Sequence, residues 1–320
     1  MAARIPLRVP PPVLRLLMRG AGRFALNPRL PYSKQRTRLD ALNSGRPLPH
    51  GTVVLRVEVG GRPALRISGP GADPSRLVVH LHGGGYCTGS PATAKVFAAH
   101  LARAAHAPVL LPDYRLAPEH PFPAALDDAL AVWRTVTDDV APARIALFGD
   151  SAGAGLAVAT ALHLRDAGEP GPGALGLISP WLDLTADRNA DPIRARRDPL
   201  LSQEWLADCA RSYAGTRELA DPALSPLFAS AAGLPPVFVV AAADDVLVPD
   251  ADRFVLAARA AGVDVHYTRV TRLWHDYPLQ AGMLAAADRS VEHLAAFLQQ
   301  AWDRSPVPAA ADSAAGASSG

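Results

Sequence analysis

The chain has 320 residues, 49% of them hydrophobic, and a net charge of +2. That apolar content excludes disorder for the bulk of the chain and allows one large domain or two ordinary ones. The small basic excess is no footprint for nucleic acid, and two cysteines, Cys87 and Cys209, are no disulfide scaffold. The lack of any apolar run of about 18 residues predicts no membrane-spanning helix.

The charge is uneven. Residues 1–40 hold nine basic residues and one acid, Asp40, so this arm is +8 and the remainder −6. Arg15 and Arg19 interrupt the apolar stretch around Val13–Met18, which argues against a signal peptide. The arm reads as two helical pieces divided by proline, about 11–22 and about 30–43. It either packs on the more acidic body or touches an anionic membrane surface. A homodimer is also left open, and the cytoplasm is the expected location.

Next, Thr52–Val59 and Arg62–Ser68 flank Gly60-Gly61 and predict a hairpin. From there strands and helices alternate. Leu77–Leu81, Pro108–Leu111, Arg144–Phe148 and Ala174–Ile178 read as strands, and Pro91–Ala105, Ala124–Thr137 and Ala152–Arg165 as helices. This order predicts an α/β fold with a mainly parallel sheet covered on both faces. The alternation lapses over 181–225, with a helical piece at Ser202–Tyr213, and an insertion there predicts a cap over the site. It resumes with strand Pro236–Ala243, helix Asp250–Ala261, strand Val263–Val270 and helix Ser290–Trp302. The expected divisions are 1–45 (helices joining the cap), 46–180 and 226–304 (core), 181–225 (cap) and 305–320 (disordered tail).

Gly149-Asp150-Ser151-Ala152-Gly153 follows a strand, opens a helix and fits G-x-S-x-G. A serine on such a strained turn is exposed above the sheet, and the helix N-terminus points at a developing oxyanion. His82-Gly83-Gly84-Gly85-Tyr86 also follows a strand. Its glycines let backbone N–H groups turn toward a ligand, as acyl transfer requires, with His82 supporting the loop. A triad then needs an acid and a histidine later in the chain. Asp244-Asp245 ends one strand and His275 follows the next. The other nine histidines lie before the acid or within helices and strands, so His275 is the expected base and Ser151 the expected nucleophile.

These motifs resemble the hormone-sensitive lipase family of α/β-hydrolases, in its bacterial esterase branch. The resemblance runs from about Leu77 to His275 and includes Asp113-Tyr114-Arg115-Leu116-Ala117-Pro118-Glu119, Asp198-Pro199-Leu200, Ser225-Pro226-Leu227 and Leu234-Pro235-Pro236. It implies a mostly parallel eight-stranded sheet with a helical cap. It also implies an oxyanion hole in the Gly83-Gly84-Gly85 loop, with Gly84, Gly85 and Ala152 as donors. The family spacing of acid, any residue, leucine favours Asp245 over Asp244. Asp276 stands where the family often has glycine, and its carboxylate would raise the His275 pKa if close. Tyr86, Trp181, Trp205 and Phe228 are candidates for the substrate pocket and equally for ordinary core. No metal-ligand spacing or phosphate loop occurs, so neither metal nor cofactor is expected. The expected reaction is hydrolysis of short-chain acyl or aryl esters through an acyl-serine. The alternatives are a deacetylase or lactone hydrolase with the same triad, and a non-catalytic receptor on the same fold.

Overall fold

A computed structural model describes residues 8–186 and 191–304. Eight strands form one sheet in the order β1-β2-β4-β3-β5-β6-β7-β8. The central strands β3 (Leu77–Leu81), β4 (Val109–Pro112), β5 (Ile145–Asp150), β6 (Ala174–Ile178) and β7 (Val237–Ala242) are buried at every position. Burial on both faces is why they read as continuous apolar runs. β1 (Val53–Val59) pairs antiparallel with β2 (Arg62–Ser68), in register from Val53 opposite Ser68 to Val59 opposite Arg62. β2 is antiparallel to β4, and all later pairings are parallel out to β8 (Val265–Val270).

Helices cover both faces. α3 (Pro91–Ala105) and α9 (Ala285–Arg304) pack with one apolar cluster; α4 (Ala124–Val136), α5 (Ala152–Asp166) and α8 (Val248–Ala260) pack with the other. α3 starts at a Ser90/Thr93 capping box with Pro91 in its first turn. α9 starts at Ala285, ahead of the expected Ser290, because Ala285-Ala286-Ala287 are strong helix formers and Ala287 is buried.

The arm forms α1 (Pro11–Ala25) and α2 (Tyr32–Ser44), and the expected insertion forms α6 (Pro192–Arg197) and α7 (Gln203–Ala214). Residues 187–190 of that insertion and the expected tail, 305–320, lie outside the described residues. The arm packs on the body through its charges. Arg15 donates to Asp244 Oδ2, Arg197 O and Arg272 O, each at 2.7 Å, and its guanidinium lies 5.3 Å from the Trp274 ring. Arg36 donates to Cys87 O and Ala117 O at 2.8 Å and grips Glu119 with both terminal nitrogens. Tyr32 donates to Asp208 at 2.7 Å and Trp205 Nε1 to Gln35 Oε1 at 2.8 Å, which joins α2 to α7. No helix among the described residues is long and apolar enough to cross a membrane.

Arg15 is the main tether of α1. Charge-assisted hydrogen bonds contribute about 1.5–3 kcal/mol each. Arg15→Ala is therefore expected to lower Tm by several degrees and to make Arg19 and Arg23 early tryptic cleavage sites. An unchanged Tm and cleavage pattern would show that α1 is anchored by its apolar face alone.

Candidate active site

Ser151 sits between β5 and α5 with φ +53° and ψ −120°. That conformation is strained for a residue other than glycine, at about 1–3 kcal/mol, and persists only where the surroundings dictate it. Two missing side chains allow it. A Cβ on Gly149 would run into the Gly153 backbone, and one on Gly153 would run into Leu81 O and the His82 backbone. Ser151 N–H donates to Ile178 O at 2.9 Å and Ser151 O accepts from Trp181 N–H at 3.0 Å, so the turn is held from β6 as well.

The glycine loop after β3 lies beside this turn. Gly84 and Gly85 have φ of +123° and +63°, and a Cβ on Gly85 would come within 2.8 Å of Trp205 and Cys209 Sγ of α7. The N–H groups of Gly84, Gly85 and Ala152 have no protein acceptor among the described residues. Gly83, placed in the oxyanion loop but not among its donors, has another part. Its N–H donates to Asp150 Oδ2 at 2.9 Å, so Gly83 is not an oxyanion donor but the residue that anchors the loop to β5. Asp150 Oδ1 lies 2.7 Å from His80 Nε2. His82 Nδ1 lies 2.9 Å from Gly83 O, its ring stacks on Tyr114 at 4.3 Å, and Tyr114 donates its hydroxyl to His82 O. The His82 ring is buried, which pushes its pKa down. Arg115 is held by both oxygens of Asp128, so this block braces the loop from below.

The two candidate acids separate cleanly. His275 Nδ1 lies 3.1 and 3.2 Å from the two oxygens of Asp245, whose Oδ1 also accepts from Leu247 N–H at 2.8 Å. Asp244 turns the other way, to Arg15 at 2.7 Å and Arg197 at 3.6 Å. Asp198, buried below, accepts from the N–H groups of Leu200, Leu201 and Val246. Burial and then the Asp245 charge push its carboxyl up to about 6. On the far side of the ring, Asp276 Oδ2 lies 3.0 Å from His275 Nε2. Burial pushes the imidazole down, but the Asp276 and Asp245 carboxylates outweigh it, and the His275 pKa lies well above 6.5.

A cavity of about 330 Å³ opens onto Ser151, His275 and Asp276. Leu14, Leu17, Met18 and Ala21 of α1 wall it, together with Leu39 and Leu42 of α2, Leu201 and Trp205. Of the expected pocket aromatics only Trp205 lines it. Tyr86 is buried against Tyr213, with ring centroids 3.7 Å apart, and Trp181 is buried with its Nε1–H on Asp183 O. Phe228 lies on the surface near Arg253. Tyr86 and Trp181 thus belong to the core and Phe228 to the surface, and α1 side chains line the cavity instead. The sequence places the arm in the cap but does not single out these residues, although the 14, 17, 18, 21 spacing is a legible helical stripe. It also gave no role to Asp150 or Asp198. Among the described residues no cluster of His, Cys, Asp or Glu is placed to hold a metal ion.

A family model described as the α/β hydrolase fold matches residues 78–279. A putative acetyl-hydrolase, LipR, of Mycobacterium tuberculosis is 38% identical over 288 residues, covering 90% of this chain and 93% of that protein. An acetyl-hydrolase of Streptomyces hygroscopicus is 38% identical over 233 residues, 72% of this chain and 78% of that protein. An esterase of the bacterial hormone-sensitive lipase family, solved by crystallography, matches with a TM-score of 0.85 at 35% identity, over 94% of this chain and all of that one. With the elbow, the glycine loop and this likeness together, the chain belongs to the α/β-hydrolase family, in its bacterial hormone-sensitive-lipase branch, and is a carboxylic ester hydrolase.

Proposed function

We propose that Ser151, His275 and Asp245 form the catalytic triad of an esterase for short-chain acyl or aryl esters, under a cap built by α1, α2 and α7. The observation that carries this reading is one focus shared by three features. Ser151 opens onto the cavity, His275 is held by Asp245, and three unpaired N–H groups flank the serine. Ser151 Oγ attacks the ester carbonyl while His275 Nε2 takes its proton. The carbonyl oxygen becomes an oxyanion held by Gly84, Gly85 and Ala152, at the N-terminus of α5. His275 returns the proton to the leaving alkoxide, leaving acyl-Ser151, and water activated by the same ring releases the acid. Asp245 keeps the ring oriented and stabilises the imidazolium.

The cavity is lined mainly by apolar side chains and its volume is about 330 Å³, which supports small acyl groups over long chains. The acetyl-hydrolase names of two relatives favour acetyl as the acyl group, and a deacetylase would share every step up to the acyl-enzyme.

Hydrolysis of p-nitrophenyl esters from acetate to palmitate is expected to peak at the short end. Ser151→Ala is expected to reduce kcat by about 10⁴-fold or more. Activity that survives this change would place the nucleophile elsewhere. Asp245→Asn is expected to cost about 10⁴-fold in kcat, whereas Asp244→Asn, which loosens α1, is expected to lower Tm rather than kcat. The reverse ranking would move the acid to Asp244. Ala21→Phe fills the α1 wall and is expected to shift the chain-length optimum toward acetate. An unshifted optimum would mean that the acyl chain lies on another side of Ser151.

A further inference from the structure

The atom of His275 that must take the serine proton is already engaged. Among the described residues its partner is Asp276 Oδ2, at 3.0 Å, and not the Ser151 hydroxyl. The fold does not require a carboxylate here. Asp276 has φ +53°, a conformation suited to glycine or asparagine, and its N–H is taken by Ser179 Oγ at 3.1 Å whatever side chain it carries. Asp276 is buried, and burying an ionised carboxylate costs several kcal/mol unless it is well paired. It is only half paired, since Oδ1 is buried without a partner while the residue lines the cavity.

The groups facing this pair are mostly acidic. Asp245 approaches His275 from the loop after β7, Asp198 from the loop after α6, and Asp150 faces Asp276 from the end of β5. Asp150 is answered by His80 and the Gly83 N–H. The Arg15 guanidinium goes to Asp244. Arg46, which lines the same cavity, donates to Leu279 O and Ala281 O, so the charge paired with Asp276 is a proton on His275.

We propose that Asp276 gates the base: in the resting protein its carboxylate holds a proton on His275 Nε2, and the site becomes competent only when that proton leaves and the carboxylate releases the ring. The inference rests on the Ser151–His275–Asp245 reading. In the resting form both ring nitrogens carry protons, Nδ1–H facing Asp245 and Nε2–H facing Asp276. The Nε2 proton first passes to solvent through the cavity, leaving a neutral ring with its lone pair on Nε2. That lone pair then accepts the Ser151 proton as the Oγ–carbon bond forms, and the same proton later goes to the leaving alkoxide. Asp276 touches the base and not the reacting carbonyl, so it is a positioning residue.

The sign follows from the two carboxylates. Both favour the imidazolium, so the ring keeps its proton to higher pH than a histidine with one acid partner. Activity needs the neutral ring, so the acid limb of kcat/KM sits high in the wild type and falls when the Asp276 charge is removed.

The test is the pH profile of kcat/KM on p-nitrophenyl acetate for the wild type, Asp276→Asn and Asp276→Gly. Asparagine keeps the size and tolerates the backbone conformation, and glycine relaxes it, so a folding defect in one variant leaves the other. The expected result is an acid-limb midpoint lower by about one pH unit or more in either variant. A parallel measurement in Ser151→Ala protein follows the His275 ring protons by NMR. Their titration is expected to move down when Asp276→Asn is added. A merely structural role would lower rate or Tm without moving either midpoint, and unmoved midpoints beside a dead Ser151→Ala enzyme would overturn the gate alone. Turnover that survives Ser151→Ala would overturn the triad reading and the gate with it.

Discussion

The site depends on one close approach, between the turn that carries Ser151 and the end of β3. Gly153 lies against Leu81 O and the His82 backbone with no room for a side chain, and Gly149 lies equally close to Gly153. Because β3 and β5 are neighbours in the sheet, this contact brings the serine and the glycine loop to one point. Asp150 then ties the two together by accepting the Gly83 N–H and meeting His80. The N–H groups of Gly84, Gly85 and Ala152, which have no protein acceptor among the described residues, flank this contact. The strain at Ser151 is offset by the packing that such closeness permits.

Around that contact the buried groups include the carboxylates Asp150, Asp198, Asp245 and Asp276 and the imidazoles His80, His82 and His275. Buried charges persist where hydrogen bonds answer them. Asp150 has His80 and a backbone donor, Asp198 has three backbone donors, and Asp245 has Leu247 N–H and His275. Asp276 has His275 on one oxygen and nothing on the other. The imbalance falls on the one group of the four that faces the atom where the proton must move.

The features encoded by adjacent residues were legible in the sequence. Each buried strand reads as a short apolar run, the elbow and the glycine loop are each five residues long, and His275 lies in the loop after the strand that follows the acid. The features set by distant partners were not. The family spacing favours Asp245 over Asp244, but the reason lies with Arg15, 229 residues earlier in the chain, which binds Asp244. Whether Gly83 donates to substrate or to protein depends on Asp150, 67 residues later. Tyr86, Trp181 and Phe228 have composition suited to a pocket, but only three-dimensional packing decides that α1 fills the wall. Asp276 is intermediate. Its place next to the histidine is evident, whereas its contact with Nε2 requires the turn with positive φ.

α1 connects these observations. One stripe of the helix, Leu14, Leu17, Met18 and Ala21, lines the cavity beside Ser151, while Arg15 on the same turn binds Asp244, the neighbour of Asp245. Asp198 supports the same loop from α6 by accepting the Val246 N–H, and α6 is itself linked to α1 through Arg15 and the carbonyl of Arg197. The arm is therefore more than a lid over a finished site. One helix thus both lines the cavity and, through Arg15, holds the residue next to Asp245, so the positive arm meets the acidic body at the edge of the site.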